Sequence, residues 1–144
     1  MINDFVQAWG VNNKKLLKSF ETKIPEDYSE VVKRLIEVVI NPYLTQHESR
    51  GLDIDKITIV DDGDYQGTIL YIIPFEAYEP TIDDYVVTYI YYGSCSFCDT
   101  FEGIIDYNNL WSNPTKEQIK NAAKEFNTLA LHILQRFKHL GLDE

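Results

Sequence analysis

The chain has 144 residues, enough for a substantial core, and we predict a single domain spanning residues 1–144. Its 13 basic and 23 acidic residues give a net charge of −10, which disfavours direct binding to nucleic acid phosphates. No apolar run approaches the roughly 20 residues that a membrane helix needs, and the first residues lack the pattern of a signal peptide. These features predict a cytoplasmic protein without membrane contact.

The first fifty residues have the spacing of helices. A stripe of apolar residues begins at Phe5, is interrupted at residues 10–13 and resumes at Leu16. A second helix is predicted to begin after Pro25 and to end at Pro42, because the residue before a proline disfavours the helical conformation. The polar residues that follow, which include His47, are predicted to form a loop.

The middle of the chain has the pattern of strands. Residues 54–60, 68–73 and 84–92 are rich in β-branched and aromatic residues, and residues 61–67 have the composition of a hairpin loop. The third strand has two faces, one with Tyr85, Val87, Tyr89 and Tyr91 and the other with Val86, Thr88, Ile90 and Tyr92. We expect the face with three tyrosines to be partly exposed.

The last third of the chain returns to helical spacing. A short apolar stretch near residues 101–105 precedes a long helix, which Asn113 can cap and Gly141 can end. His132 and His139 are predicted to lie on this helix, away from its apolar face. The predicted fold class is α+β, in the order α-α-β-β-β-α-α, with a three-stranded antiparallel sheet packed on helices.

The charge is concentrated in the middle segment. Between Gly51 and Leu110, twelve acidic residues accompany one basic residue, Lys56, which gives a net charge of −11. Residues 1–50 are balanced, and residues 111–144 carry +1. The acidic segment also contains most of the ten tyrosines. Because carboxylates steer basic partners and tyrosine is enriched at interfaces, this segment predicts a contact surface for a basic protein. Its candidate contact residues are Asp61, Asp62, Asp64, Glu76, Tyr78, Glu79, Asp83, Asp84 and Tyr85.

Cys95 and Cys98 are the only cysteines, and three interpretations of them remain open. They can be buried packing residues. They can supply half of a zinc site, with His47 or Asp99 among the remaining ligands. They can also form a redox-active dithiol, since they follow a strand and precede a helix whose first turn Asp99 can cap. The cofactor prediction is therefore none, or zinc.

The sequence contains none of the common catalytic or nucleotide-binding motifs. Asp61, Asp62 and Asp64 lack the spacing of a calcium-binding EF-hand loop. We therefore expect a protein that is not an enzyme.

Residues 91–100, YYGSCSFCDT, resemble a motif of small uncharacterised proteins encoded by phages and prophages of Gram-positive bacteria. Weaker similarity covers residues 64–68 and 129–132. The resemblance implies a phage protein in the host cytoplasm and assigns no catalytic residue.

Two functional hypotheses follow. The first is a non-enzymatic phage accessory protein of the anti-CRISPR or another anti-defence type, which binds and inhibits a basic, nucleic-acid-handling host protein. The alternative is a zinc-stabilised structural or interaction domain that uses Cys95 and Cys98. The sequence identifies neither the partner nor the oligomeric state.

Overall fold

The computed structural model describes residues 2–48, 50–64, 66–95 and 99–141. Helices account for 55% and strands for 18% of the structure, and the strands form one antiparallel sheet. The predicted mixture of helices with an antiparallel sheet is therefore confirmed. The predicted number of three strands is wrong, because the described residues form a sheet of four strands in the order β1-β2-β3-β4.

The first helix, α1 (Ile2–Thr22), runs without the predicted break at residues 10–13. Asn12 lies within it, is only 3% exposed, and donates a hydrogen bond from Nδ2 to the carbonyl oxygen of Val39 at 3.1 Å. The polar residue that interrupts the apolar stripe is thus satisfied by a tertiary contact. Periodicity alone does not reveal such a contact, which explains the wrong prediction.

The second helix continues past its predicted end at Pro42. Helices α2 (Tyr28–Leu35) and α3 (Asn41–His47) are joined by a π-helical turn, Ile36–Ile40. The N–H group of Asn41 donates to the carbonyl of Ile36, five residues back, and Pro42 falls in the first turn of α3. A proline is tolerated there because its missing N–H group is not needed. His47 therefore lies on the last turn of α3 and not in a loop.

The sheet contains β1 (Thr58–Asp61), β2 (Gly67–Pro74), β3 (Tyr85–Tyr92) and β4 (Lys138–His139). All neighbouring strands are antiparallel. The hairpin predicted between the first two strands is confirmed, since the N–H group of Asp62 donates to the carbonyl of Thr68. β1 is shorter than predicted because residues 54–56 form a 3₁₀ turn.

Helices α4 (Thr100–Tyr107) and α5 (Lys116–Gln135) follow the third strand. The cap of α5 is Thr115 and not Asn113. α5 also ends before Gly141, because the chain turns after Gln135 to form β4. His132 is exposed on α5 as predicted, but the prediction for His139 is wrong, since it lies in β4 and is 5% exposed.

The core lies between the helices and one face of the sheet. Tyr71, Val86 and Ile90 on this inner face are each at most 1% exposed, and the Thr88 hydroxyl donates to the carbonyl of Ile133 on α5 at 2.8 Å. None of the described helices is both long and apolar enough to cross a membrane.

Candidate binding surface

The outer face of the sheet, opposite the core, is lined by aromatic and aliphatic side chains. On β3, Tyr85, Val87 and Tyr89 are half-buried, and Tyr91 is 62% exposed. Residues paired across antiparallel strands share a face, so the partners of Val87 and Tyr89 on β2, Ile72 and Leu70, extend this surface. Val60 of β1, paired with Leu70, extends it further and is 46% exposed. The predicted partial exposure of the tyrosine face is therefore confirmed.

Arg136 lies at the margin of this outer face. Its guanidinium carbon is 5.3 Å from the ring centre of Tyr89 and 5.6 Å from that of Tyr91. Its Nη1 also donates to the carbonyl oxygen of Tyr89 at 3.3 Å. These contacts are in the range of cation–π interactions. The tyrosine rings of the outer face thus already pack against one guanidinium group of the chain itself.

One end of the outer face is closed by the acidic hairpin between β1 and β2. Asp61, Asp62 and Asp64 are all exposed there. Asp62 Oδ1 accepts from the N–H group of Thr68 at 2.8 Å, and Asp61 Oδ1 accepts from the Tyr92 hydroxyl at 2.6 Å. Two of the three carboxylates therefore shape the hairpin, whereas Asp64 is available for an intermolecular contact.

The Asp61–Tyr92 hydrogen bond shifts the pKa values of both groups. It lowers the pKa of the Asp61 carboxyl and raises that of the Tyr92 phenol to about 12. We expect Asp61→Asn to lower the pKa of Tyr92 toward the ordinary value of about 10. The stabilisation from the raised phenol pKa is complete below pH ~10 and is lost as the pH rises through the folded value.

Absorbance titration at 295 nm measures this effect, and a Tyr92→Phe protein identifies the contribution of Tyr92 among the ten tyrosines. An unchanged alkaline titration of Asp61→Asn would contradict the assigned hydrogen bond.

The opposite end of the outer face carries the second acidic group, in the loop between β2 and β3. Asp84 is paired with Arg50, whose Nη2 lies 2.8 Å from Oδ1. Glu76 Oε1 accepts from the N–H group of Gly51 at 3.0 Å. Glu79 and Asp83 are exposed and make no hydrogen bond or ion pair with other described residues. Tyr78 is 96% exposed beside them.

The structure therefore divides the nine predicted contact residues into two groups, which lie at opposite ends of the outer face. The eight residues of β2 lie between the two acidic groups, which places those groups roughly 23 Å apart at the usual rise per residue. Tyr85 lies on the outer face itself. A partner that lies on the outer face and reaches both acidic groups would also cover the tyrosines between them.

The start of α4 is built around Asp99, which is 6% exposed. Its Oδ1 accepts from the Tyr28 hydroxyl at 2.8 Å and from the N–H group of Glu102 at 3.0 Å, and its Oδ2 accepts from the N–H group of Gly93 at 2.9 Å. Burial raises the pKa of the Tyr28 phenol, and the Asp99 hydrogen bond acts in the same direction. The predicted capping role of Asp99 is confirmed. With three hydrogen bonds to the protein, Asp99 is a structural residue.

The structure describes only some of the residues predicted as zinc ligands. Cys95 is exposed and disulfide-bonded, so the interpretation as a buried packing residue is wrong for Cys95, and Cys98 lies outside the described residues. The described residues contain no group of three or more His, Cys, Asp or Glu side chains that could hold a metal ion. The ring of His47 stacks on Tyr43, with centroids 4.0 Å apart. Because zinc binds thiolates, the zinc hypothesis requires the disulfide to be reduced and stays a prediction for that form.

A cleft beside Cys95 was not predicted from the sequence. It has a volume of about 520 Å³ and is lined by Glu26, Glu102, Asp106 and Trp111, among others. Trp111 is 80% exposed, and its Nε1 donates to Asp106 Oδ1 at 3.0 Å. The only feature of the sequence that could have indicated this cleft is Trp111, a large aromatic residue within a polar segment. Ser94 and Cys95 lie two and three residues after the end of β3 at Tyr92, which pairs with Gly67 at the start of β2. The cleft therefore lies at the same end of the sheet as the acidic hairpin.

Comparisons with known proteins identify no relative. No protein-family model matches the sequence, and neither the curated proteins nor the solved structures contain a match. Functional inference therefore depends on the geometry and chemistry of the surface described above.

Proposed function

We propose that this chain is a non-enzymatic phage accessory protein that binds and inhibits a basic, nucleic-acid-handling protein of the host, such as a CRISPR effector or another defence enzyme. One observation carries the proposal: the outer face exposes tyrosines between two acidic groups. The phage setting comes from the resemblance of residues 91–100 to phage and prophage proteins. The proposed location is the host cytoplasm.

The composition of the outer face supports a protein contact. Tyrosine supplies a large contact area at low cost in side-chain entropy and is enriched at interface hot spots. Tyr91 at 62% exposure and Tyr78 at 96% exposure are available to a partner without rearrangement of the core. Leu70, Ile72 and Val87 provide the apolar centre that such an interface requires.

The charge of the two ends determines the kind of partner. Asp64, Glu79 and Asp83 are exposed, and none is neutralised by a described basic residue. These carboxylates repel nucleic acid phosphates and attract lysine and arginine side chains. A groove that binds DNA or RNA presents those basic side chains, so the acidic ends would occupy positions that phosphates otherwise take. Inhibition by competition with nucleic acid follows.

A comparison of two triple variants tests the proposal. The first variant reverses the three carboxylates at the ends of the outer face, Asp64→Lys, Glu79→Lys and Asp83→Lys. The matched control reverses three carboxylates on helical segments, Glu21→Lys, Glu37→Lys and Glu117→Lys. Both variants change the net charge by the same amount, so a difference between them reports the position of the charge. The assays are capture of host proteins and relief of host defence against phage.

We expect the first variant to lose the captured basic protein and the relief of defence, whereas the control keeps both. Each desolvated charge pair contributes about 1.5 kcal/mol or more to binding, so three reversals should weaken affinity about 1,000-fold or more. Equal capture by both variants, or a captured protein that is not basic, would contradict the proposal.

A further inference from the structure

Strand β1 forms an open edge of the sheet. Within the described residues it is paired with β2 on one side only. All four of its residues, Thr58–Asp61, are exposed. Ile59 is 48% exposed and Val60 is 46% exposed, although both are apolar. The opposite edge of the sheet is formed by β4, which has only two residues.

The hydrogen-bond pattern identifies the unpaired backbone groups. The N–H group of Asp62 donates to the carbonyl of Thr68, so the backbone polar groups of Asp62 point toward the neighbouring strand. Antiparallel ladders alternate, and therefore Val60 and Thr58 also direct their backbone groups toward β2. Ile59 and Asp61 direct their N–H and C=O groups away from the sheet. An added strand would meet two donors and two acceptors there.

Some of the usual protections of an exposed edge are missing from β1. It contains no proline and no lysine, and it pairs with β2 without a bulge, so its protection is limited to its short length and the charge of Asp61. Its apolar residues, Ile59 and Val60, lie on opposite faces of the strand. An edge of this kind accepts an additional strand through main-chain hydrogen bonds, with side-chain pockets on alternate positions.

The charge around this edge determines which strand it fits. Exposed carboxylates flank both ends, with Asp55 before β1 and Asp62 and Asp64 after it. The basic residue nearest to β1 in sequence is Lys56, and its Nζ lies 3.9 Å from Oδ2 of Asp53. A second copy of this chain would bring a further charge of −10 to the same surface. An extended basic segment of another protein is complementary to it.

We propose that β1 binds an extended, lysine- or arginine-containing segment of the partner as a fifth strand of the sheet. This inference deepens the proposed function, because it names the part of the basic partner that is recognised. Backbone pairing would provide affinity that depends little on the segment's sequence, and the flanking carboxylates would select for positive charge. Val60, on the outer face, would join this contact to the tyrosine surface.

The test uses a synthetic peptide, Lys-Val-Thr-Val-Lys-Val-Lys, and a matched peptide N-methylated at every residue from the second to the seventh. The two peptides have equal charge, but the second has no peptide N–H group on either edge and cannot donate to β1. NMR hydrogen exchange of the full chain is measured for the amides of Ile59 and Asp61. We expect these amides to exchange about tenfold more slowly with the first peptide at ten times its Kd, and to be unaffected by the second.

A pair of protein variants tests the same edge. Ile59→Pro removes an outward donor without breaking the ladder to β2, and prolines are tolerated on edge strands. Ile59→Val keeps the donor and serves as control. We expect Ile59→Pro to lose peptide binding at least tenfold and Ile59→Val to retain it. If Ile59→Pro does not fold, the N-methylated peptide still decides the question.

Three outcomes would overturn the inference. Equal binding of the two peptides would show that backbone pairing contributes nothing. Peptide binding that perturbs Tyr91 but leaves the Ile59 amide unchanged would exclude the edge while leaving the proposed function intact. Protection of the Ile59 amide that increases with protein concentration, without peptide, would assign the edge to a second copy of the chain.

Discussion

Asp99→Ala is expected to lower the free energy of unfolding by about 4 kcal/mol, because it leaves several buried donors without an acceptor. The carboxylate is 6% exposed and accepts hydrogen bonds from Tyr28, Gly93 and Glu102. These three residues lie at the start of α2, after the end of β3 and in the first turn of α4. One side chain therefore holds three segments together, and its loss also removes a helix N-cap.

Urea denaturation measures this change, and Tyr28→Phe is the matched control. Tyr28→Phe removes one of the three hydrogen bonds to Asp99, together with the bond that the N–H group of Phe101 donates to the Tyr28 hydroxyl, and should cost about 2 kcal/mol. If Asp99→Ala cost no more than Tyr28→Phe, the carboxylate would not be the acceptor for all three donors. A large loss would mark the corner beside Cys95 as a structural element of the fold.

Phe126→Ala is expected to lower the free energy of unfolding by about 3–5 kcal/mol, the usual cost of truncating a buried phenylalanine. Phe126 is fully buried on α5. Its ring centre lies 5.7 Å from that of Phe20 on α1 and 5.2 Å from that of Phe101 on α4. The truncation therefore leaves a cavity where three helices meet, and its cost is a large part of the stability of an ordinary domain.

Thermal and urea unfolding of Phe126→Ala test this expectation, with Leu129→Ala as a comparison on the same helix. Leu129 is 6% exposed, near the margin of the core, so its truncation should cost less. An equal or smaller cost for Phe126→Ala would contradict a central position of the aromatic cluster.

Local patterns predicted much of the fold. The runs rich in β-branched and aromatic residues located β2 and β3 to within one residue at either end, because strand propensity and the alternation of Val86, Thr88 and Ile90 agree there. The hairpin at Asp62 also followed from composition. Asp99 was expected as a helix cap, since its spacing to Glu102 is a local property.

The errors arose where a distant contact overrides a local signal. Asn12 was predicted to interrupt the first helix, but its side chain is satisfied within the helix by a hydrogen bond to Val39, which is 27 residues away in sequence. Pro42 looked like a helix end, but the preceding π turn accommodates it. His139 fitted the helical periodicity of α5, yet pairing with Val86 places it in a strand. A two-residue strand has too little sequence of its own to be predicted.

The candidate surface shows the same division. The sequence by itself determined the charge, the tyrosine content and the alternation of β3, because these are properties of composition and of near neighbours. Only the tertiary structure decided that Asp64 and Asp83 lie at opposite ends of one sheet face and that β1 is an open edge. Strand pairing sets both features, and pairing depends on hydrogen bonds between residues far apart in the chain.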